Sequence, residues 1–409
     1  MEKSAFYREA RADLLGPLDG VRVVEATTTW AGPMCACILA DFGAEVIKVE
    51  HPAGEISRRS PPALPGTDPP VSFMHATVNR NKRSLTLDLR RDAGRDVFLQ
   101  LAQRADIVVE NFRPGTMSQW RVGYEDVRRV RADTIYVSIS GYGQFGSMSG
   151  RVGYDPLAQA ASGFLSLNGE PDGEPVKAPT FLADDLGGLH AALAALAALR
   201  HRDQHGEGQH IDVALLDSML FQSTGYLTLG AMGVYLPRLG NEFRIAAPAN
   251  TYACHDGRIM TGVLLDSHWK RLSGVLERPE LADHPHYATA AARLERRAEV
   301  NEMLASWAAA RSVADAVERL VAASIPAAAV RSYAEAAADA AVAERDMLQP
   351  IEQSDGTEAP IVGPAAKFAR TPTRVRSAAP GLGDHTDEIL AELGIDDRDR
   401  LRLHDDGVV

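Results

Sequence analysis

The sequence contains few cysteines, and those few form no recognisable pattern. Only three of the 409 residues are cysteines, and the spacing of Cys35, Cys37 and Cys254 fits neither a disulfide framework nor a zinc site. Proteins without a disulfide framework are typical of reducing compartments. We therefore predict a cytoplasmic protein that holds no metal ion.

Long hydrophobic runs and an excess of basic charge are also missing. The most apolar run, 189-LHAALAALAAL-199, is shorter than the ~20 residues that a membrane helix needs. The first eighteen residues contain no apolar stretch of signal-peptide length. The chain has 43 Lys and Arg against 55 Asp and Glu, a formal charge of −12, whereas non-specific nucleic-acid binding relies on a basic surface. We expect neither a membrane nor a nucleic acid as a partner.

Short strand-like and helix-like segments alternate through the first half of the chain. Residues 21–26 and 44–50 have the pattern of buried strands around a helix at 33–43, which makes a βαβ unit. The alternation continues as far as a strand that runs into a helix at 209–222, and it predicts a doubly wound α/β domain. The composition changes after this point, and we predict a second, smaller α/β domain at about 245–330.

Two adjacent acids stand out in 181-FLADDLGGLHAALAALAALR-200. Aspartate is a preferred helix N-cap, which explains one of Asp184 and Asp185 but not both. The second explanation is a carboxylate at a helix start that faces a cleft. Backbone N–H groups and the helix dipole would keep it ionised, as a covalent nucleophile must be. The following Gly187 and Gly188 each cost about 1 kcal/mol of helix stability, which indicates packing or binding against bare backbone.

Polar and basic residues follow several of the predicted strands. Ligands of open α/β sheets bind beyond the carboxyl ends of the strands, so 110-ENFRPG-115 and 140-SGYG-143 are candidate binding turns or plain turns. The basic stretch 79-NRNKRS-84 is either a solvated surface or a site for a phosphorylated ligand. The turn 27-TTTWAGPM-34 lacks the glycine fingerprint of nicotinamide dinucleotide binding, although Glu50 is suitably placed for a ribose.

Six separated stretches of the chain form one pattern. They are residues 16–54, 79–89, 107–115, 138–146, 151–163 and 208–220. Together they resemble, in order and with the expected spacing, the family III coenzyme A transferases, also called the CaiB–BaiF group. The resemblance implies a Rossmann-like large domain built from residues 1–225 and a return segment at 331–409, with linkers and a small α/β domain at 226–330. It also implies a homodimer of interlocked, ring-like chains.

The resemblance also implies a catalytic residue and a reaction. The family's nucleophilic aspartate falls on Asp184, and Asp185 then becomes the candidate for the capping role. The aspartate attacks an acyl-CoA donor, so that an acyl-aspartyl anhydride forms. An aspartyl-CoA thioester follows, and the acceptor carboxylate then takes the CoA. We hypothesise that backbone N–H groups near Gly187 or Gly188 stabilise the developing oxyanions.

The family's contacts with coenzyme A transfer only where the motifs match. CoA and acyl-CoA are then substrates, and no permanently bound cofactor is expected. Trp30, His51 and Gln119 depart from the pattern of the formyl-CoA branch, and its glycine-rich loop is replaced by residues 244–252, which argues against oxalate or formate. The expected CoA-binding residues are Ala31, Leu87, Asp88, Arg90, Asn111, Phe112, Arg113, Gly141 and Tyr142.

A nicotinamide-dependent oxidoreductase is one alternative, which the missing glycine fingerprint disfavours. Two further alternatives remain beside the acyl-CoA:carboxylate transferase. The α-methylacyl-CoA racemases of the same superfamily need a second acid–base group, and their histidine position is occupied by Tyr154, whose pKa near ~10 makes it a poor base. The other alternative is a CoA-binding subunit without catalysis of its own. We expect Trp30, Tyr154 and the 244–252 loop to line the acyl pocket and to favour a bulky or branched acid.

Overall fold

The computed structural model describes all 409 residues of the chain. Two short 3-10 helices lie at Ile56–Arg59 and Pro279–Leu281. The strands are β1 (Arg22–Ala26), β2 (Glu45–Glu50), β3 (Lys82–Thr86), β4 (Ile107–Glu110), β5 (Ile135–Ser140), β6 (Gln209–Ala214), β7 (Ala249–Cys254), β8 (Gly257–Gly262), β9 (Ala327–Ala329), β10 (Leu348–Glu352) and β11 (Glu358–Val362). The α-helices are α1 (Lys3–Phe6), α2 (Ala31–Asp41), α3 (Phe73–Val78), α4 (Asp92–Arg104), α5 (Thr116–Gln119), α6 (Tyr124–Val130), α7 (Asp155–Ala161), α8 (Phe164–Leu167), α9 (Leu182–His205), α10 (Leu215–Phe221), α11 (Tyr226–Ala231), α12 (Asp266–Val275), α13 (Ala290–Glu295), α14 (Arg297–Ala309), α15 (Val313–Ala322), α16 (Tyr333–Ala337), α17 (Ala340–Glu344), α18 (Thr386–Glu392) and α19 (Asp397–Asp405).

A six-stranded sheet forms the centre of the larger of two compact units. Its strand order is β3-β2-β1-β4-β5-β6, and every neighbouring pair is parallel. This is the strand order of a Rossmann fold, and it confirms the predicted mixed α/β architecture with a parallel sheet. The chain reverses its direction of winding between β1 and β4. The turns that follow these two strands therefore open the crevice in which such folds bind ligands.

Each face of the sheet is covered by a separate hydrophobic core. On one face α2 and α9 bury alanine and leucine residues against β1, β4 and β5, as the apolar runs in their sequences predict. On the other face Phe98 and Leu101 of α4 pack with Ile389 and Leu390 of α18. Two covered faces explain why the strands are almost continuously apolar.

Helix α9 is longer than its most apolar run indicated. It extends over 24 residues and has the length and composition of a membrane-spanning helix, which differs from the sequence-based expectation. Its small residues are buried in the core beside α2, however, with Ala191, Ala192 and Ala195 at most 2% exposed. The apolar composition is thus explained by the core, because a helix that packs against a sheet and another helix needs small residues on those faces.

The chain divides into units at other residues than the sequence indicated. The larger unit comprises residues 1–164, 177–232 and 341–409, and the smaller comprises 165–176 and 233–340. Segment 165–176 was predicted within the large domain. It instead bonds to the start of the smaller unit, because Arg238 donates to the carbonyls of Glu170 and Gly173, and Gly240 N donates to Gly169 O at 3.1 Å. These bonds join segments that are distant in sequence.

The smaller unit has its own sheet and its own core. Strands β7, β8 and β9 form an antiparallel sheet, on which Trp269, Leu304 and Leu320 are fully buried. Residues 341–409 of the larger unit add the antiparallel hairpin β10–β11 and the helices α18 and α19. The last residues pack close to a predicted binding strand, since Asp88 N donates to Val408 O at 2.7 Å.

Candidate active site

The amino end of α9 carries the two adjacent acids, but neither is its N-cap. The helix begins at Leu182 with Phe181 as N-cap. Asp184 therefore lies within the first turn, and Asp185 lies at the end of that turn. The capping role predicted for Asp185 is therefore wrong, and Asp185 N donates to Phe181 O at 2.8 Å as an ordinary helical bond. The cap comes from outside the helix. Asp155 Oδ2 accepts from Ala183 N at 2.7 Å and from Asp184 N at 3.3 Å.

Asp155 is a functional candidate that the sequence did not reveal. It is the first residue of α7 and is 4% exposed, and its Oδ1 accepts from Gln159 Nε2 at 2.6 Å. A carboxylate bound to free N–H groups at a helix start is stabilised by the helix dipole as well. The only signal in the sequence was an acid followed by proline, which is a common helix start. Nothing in that signal shows which helix the carboxylate caps.

The side chain of Asp184 lies in a partly buried, negatively charged environment. Burial and, to a smaller extent, the neighbouring charges of Asp155 and Asp185 together raise the pKa of Asp184 to about 7. The expectation that the helix would keep this carboxylate fully ionised is therefore wrong, because burial and like charges outweigh the helix dipole. At neutral pH the group is divided between its two protonation states.

Trp30 and Asp185 are directly connected. Trp30 Nε1 donates to Asp185 Oδ1 at 2.6 Å, and the indole packs on Phe181 with ring centroids 5.0 Å apart. Burial raises the pKa of Asp185, the hydrogen bond from Trp30 opposes this, and the charge of Asp155 adds to it. We expected Trp30 to line the acyl pocket, and in the structure it is bonded to the acid next to Asp184.

The glycine pair permits close packing of α9. A Cβ atom on Gly188 would lie 2.9 Å from Ala31 O and from Met34 Cβ, and one on Gly187 would lie 2.6 Å from Leu215 Cδ2. Both residues lie past the first turn, where each N–H bonds to the carbonyl four residues earlier. The N–H groups of the two glycines themselves are therefore not free for an oxyanion, and close packing explains why both residues are glycine. The hypothesis that other backbone N–H groups near them stabilise an oxyanion stays a prediction.

A cavity of about 160 Å³ lies at the carboxyl ends of the central strands. Four of the nine residues expected to bind CoA line it, namely Leu87, Asp88, Arg90 and Phe112. His51 lines it as well, and the sequence had also indicated Glu50 for a ribose. The lining residues that sequence reasoning missed are Thr27, Thr28, Val49, Gly54, Glu55, Leu89 and Trp120.

Arg90 and Asp88 form the charged wall of this cavity. Arg90 Nε donates to Asp88 Oδ1 at 2.7 Å, and the Arg90 guanidinium also contacts His51 Nε2. Arg90 is more than half exposed, so its cation faces both Asp88 and the solvent. Glu50, by contrast, is not free for a ribose. Arg58 Nε donates to Glu50 Oε1 at 2.8 Å, and the Glu50 side chain is fully buried, which corrects the alternative reading of this residue.

The other expected residues lie outside the cavity lining. Ala31 is the buried first residue of α2, and Arg113 is an exposed residue of the turn after β4. Asn111 forms two hydrogen bonds of 2.8 Å with the backbone of Thr28, one to its N–H and one to its carbonyl. It thus joins the turns after β4 and β1. Gly141 and Tyr142 both contact Gly153, and Gln119 is exposed on α5.

A buried ionic network supports the first βα turn. Lys48 Nζ donates to Glu25 Oε1 at 3.2 Å and to Thr27 O at 3.1 Å, and Lys82 Nζ donates to Glu25 Oε2 at 2.8 Å. Glu55 Oε2 accepts the N–H of Thr29 at 2.9 Å. Charges with no solvent contact are costly unless they are paired and hydrogen-bonded, as these are. The network therefore fixes the turn that carries Trp30.

The profile of CoA-transferase family III matches this sequence over residues 18–386, nearly the whole chain. The chain belongs to this family. It is a CoA-transferase that moves coenzyme A between carboxylic acids, so an acyl-CoA and a carboxylic acid are its substrates.

Similar proteins with assigned activities support the same conclusion for this CoA-transferase. The succinyl-CoA:mesaconate CoA-transferase of Haloarcula hispanica is 36% identical over 93% of this chain and 97% of its own. The succinate–glutarate CoA-transferase of Agrobacterium fabrum is 36% identical over 92% and 96%. The formyl-CoA:oxalate CoA-transferase of Streptomyces avermitilis is 31% identical over 96% and 99%. A CaiB/BaiF family protein from Brucella suis has a similar structure, with a TM-score of 0.82 and 33% identity over 92% of this chain and 99% of its own.

Proposed function

We propose that this CoA-transferase uses Asp184 as a covalent nucleophile. A carboxylate oxygen of Asp184 attacks the thioester carbonyl of the donor, the carbon–sulfur bond breaks, and CoA leaves as thiolate. The thiolate attacks the Asp184 carbonyl of the resulting anhydride, which gives an aspartyl-CoA thioester and releases the donor acid. The acceptor carboxylate attacks this thioester, forms a second anhydride and frees the thiolate again. The thiolate then takes the acceptor's acyl group and restores Asp184.

The observation that carries this proposal is the combination of position and charge at Asp184. Its backbone is fixed by Asp155, while its side chain is only partly buried and has a pKa raised to about 7. A carboxylate with a raised pKa is a stronger nucleophile than an ordinary one, and a substantial part of it is still ionised at neutral pH. Dividing the exchange into steps avoids a direct attack of the acceptor carboxylate on the donor thioester.

We infer that the nucleotide part of CoA binds at the cavity lined by His51, Asp88, Arg90 and Phe112. An exposed guanidinium suits phosphate oxygens, and an aromatic side chain suits a base. The position at the carboxyl ends of β1, β2, β3 and β4 agrees with the rule for ligands of open α/β sheets. Ala31, Asn111, Arg113, Gly141 and Tyr142 stay predictions as direct contacts.

We further propose that the working enzyme is an interlocked homodimer in the cytoplasm. Support for the dimer comes from large apolar side chains that the isolated chain leaves exposed on α9, α10 and α11 and at the residue after α11. Monomeric proteins rarely expose many such residues together. They are Leu189, Leu193, Phe221, Leu227 and Met232. Sedimentation equilibrium of the purified protein should give twice the 44.0 kDa mass of the chain. A mass of one chain across the concentration range would contradict the dimer.

Mass spectrometry after incubation with a panel of acyl-CoAs tests the nucleophile directly. Hydroxylamine should convert the covalent intermediate to a hydroxamate, and peptide mapping should locate it on Asp184. Asp184→Asn should form no adduct and lose at least about 10³-fold in rate, the scale on which removal of a covalent nucleophile is measured. An adduct on another residue would overturn the assignment. Deuterium exchange at the α-carbon of a 2-methylacyl-CoA without any adduct would instead support the racemase.

A further inference from the structure

Asp185 is the charged group near Asp184 whose role the proposed chemistry leaves open. Its Oδ1 is held by the indole N–H of Trp30 at 2.6 Å, and Trp30 is only 9% exposed. The indole is in turn packed against Phe181. Because Trp30 cannot swing freely, the hydrogen bond keeps the Asp185 carboxylate in one place beside the nucleophile.

The charges of this chain that act on Asp184 and Asp185 are all negative. Burial and other carboxylates raise the pKa of Asp184, and no lysine, arginine or histidine acts on it in the opposite direction. For Asp185 the one opposing influence is the hydrogen bond from Trp30. N–H donors and Gln159 occupy both oxygens of Asp155, whereas Asp185 has one bonded oxygen. Like charges repel strongly where little water screens them.

We propose that Asp185 is a specificity-determining residue that selects monocarboxylic acids against dicarboxylic acids. The inference rests on the proposed function, because the acyl carbonyl must meet Asp184. In a four-carbon dicarboxylic acid the two carboxyl carbons are three C–C bonds apart, about 4 Å. The second carboxylate therefore stays within electrostatic reach of Asp185 whichever way the chain turns. Specificity of this kind comes from an unfavourable interaction with the wrong substrate.

The side chains packed around Trp30 are apolar, and this cluster contains no cation. Trp30, Met74 and Val78 form a buried apolar cluster, with Met34, Phe73 and Phe181 packed against it. An alkyl or branched acyl group matches such surroundings, whereas a second carboxylate finds no basic partner in this cluster. The inference thus separates this chain from the relatives that are named for succinyl-CoA.

Matched pairs of thioesters measure the selection. Butyryl-CoA and succinyl-CoA have the same number of carbons, as have pentanoyl-CoA and glutaryl-CoA. The measured quantity is kcat/KM for the covalent loading of Asp184, and mass spectrometry detects the loaded protein. In the unchanged enzyme the monocarboxylic member of each pair should load at least about tenfold faster, the effect of one modest charge repulsion. An enzyme that loads succinyl-CoA and glutaryl-CoA faster would overturn the inference without any variant.

Asp185→Asn removes the charge and keeps an oxygen that can accept the Trp30 N–H. This substitution also changes the pKa of Asp184, but that change affects both members of a pair equally and cancels in their ratio. The ratio of monocarboxylic to dicarboxylic kcat/KM should fall by about tenfold or more. Asp203→Asn is the matched control, because Asp203 lies on the same helix about 27 Å away and is more than half exposed. The control should leave the ratio unchanged.

The outcomes separate this inference from the proposed function. An unchanged ratio in Asp185→Asn, with Asp184 still loaded by both thioesters, would overturn the inference and leave the nucleophile in place. Absence of an adduct on Asp184 with every thioester would overturn both. A fall in the ratio in Trp30→Phe, which keeps an aromatic ring but removes the N–H, would add that the fixed position of Asp185 contributes to the selection.

Discussion

The carboxylate of Asp155 accepts the backbone N–H of Asp184 at 3.3 Å, while its charge raises the pKa of the Asp184 side chain. One group therefore holds the backbone of Asp184, the proposed nucleophile, in place and increases the basicity of its carboxylate. Asp155 itself stays stabilised by two N–H groups and by Gln159. The arrangement places two carboxylates close together without a cation, and the amino end of α9 compensates for part of the repulsion.

Replacing Asp155 should change the pH dependence of the enzyme. In the proposed reaction Asp184 attacks in its ionised form, so the rate should rise with pH through the raised pKa of about 7. In Asp155→Asn one source of negative charge is lost, and the rising limb should move to lower pH by about half a unit to one unit. The measurement is single-turnover loading from pH 5 to pH 9. A limb that stays in place while the rate falls at all pH values would restrict Asp155 to a positioning role.

The raised pKa of Asp184 should make this residue costly for stability. A carboxyl whose pKa is raised from 3.8 in the unfolded chain to about 7 in the folded chain binds more protons when folded, so stability falls as pH rises between these values. Asp184→Asn should therefore increase the free energy of unfolding at pH 8 by about 1 to 3 kcal/mol. The gain should disappear below pH 4, where Asp184 is protonated in both states.

Thermal unfolding at fixed protein concentration across this pH range measures the difference. Asp203→Asn serves as the control, because an exposed aspartate at the other end of α9 should give the same stability as the unchanged protein at every pH. A stability gain in Asp184→Asn that is as large at pH 4 as at pH 8 would show that burial of the amide, rather than loss of charge, is responsible.

A methyl group on Gly188 should separate two packed helices. The added Cβ would lie 2.9 Å from Ala31 O, which is backbone and cannot move aside without moving α2. Overpacking of this kind costs about 1 to 3 kcal/mol, and here it should also shift Trp30 at the start of α2. Gly188→Ala should therefore lower both the unfolding free energy and kcat. Gly274→Ala is the control, since nothing lies within 4 Å of its added Cβ and alanine favours the helix.

The fold of the larger unit could be predicted because it follows from local sequence patterns. The βαβ alternation and the apolar strands indicate a doubly wound sheet wherever they occur, and the structure has these strands within a few residues of the predicted positions. The cavity at the carboxyl ends of the strands follows from the topology alone. The position of Leu87, Asp88, Arg90 and Phe112 at this cavity could thus be predicted from the strand ends and from the resemblance, while their contact with CoA stays a prediction.

The predictions that failed depend on which side chains the fold brings together. Asp185 has the residue type of an N-cap, yet the helix starts earlier and takes its cap from Asp155. The ionisation of Asp184 could not be predicted either, since it depends on how many carboxylates the fold brings around it. Glu50 has the position of a ribose ligand but is bound by Arg58, eight residues later. In each case the residue type indicated a possible role, but the residue that it contacts could not be predicted from the sequence.

Arg90 should contribute to CoA binding through its charge. Its guanidinium is more than half exposed at the cavity and is bound to a single acid, Asp88. Arg90→Ala should weaken the binding of CoA by about 5- to 20-fold at low salt, the effect of losing one partly screened phosphate contact. At 0.5 M salt the difference should shrink, because screening weakens the contact in the unchanged enzyme as well. Isothermal titration with CoA measures both values.

Arg128→Ala is the control, since this arginine is equally exposed on α6 but does not line the cavity. Equal losses in the two variants would mean that the protein's overall charge attracts CoA, whereas a loss confined to Arg90→Ala would support a phosphate contact at the cavity.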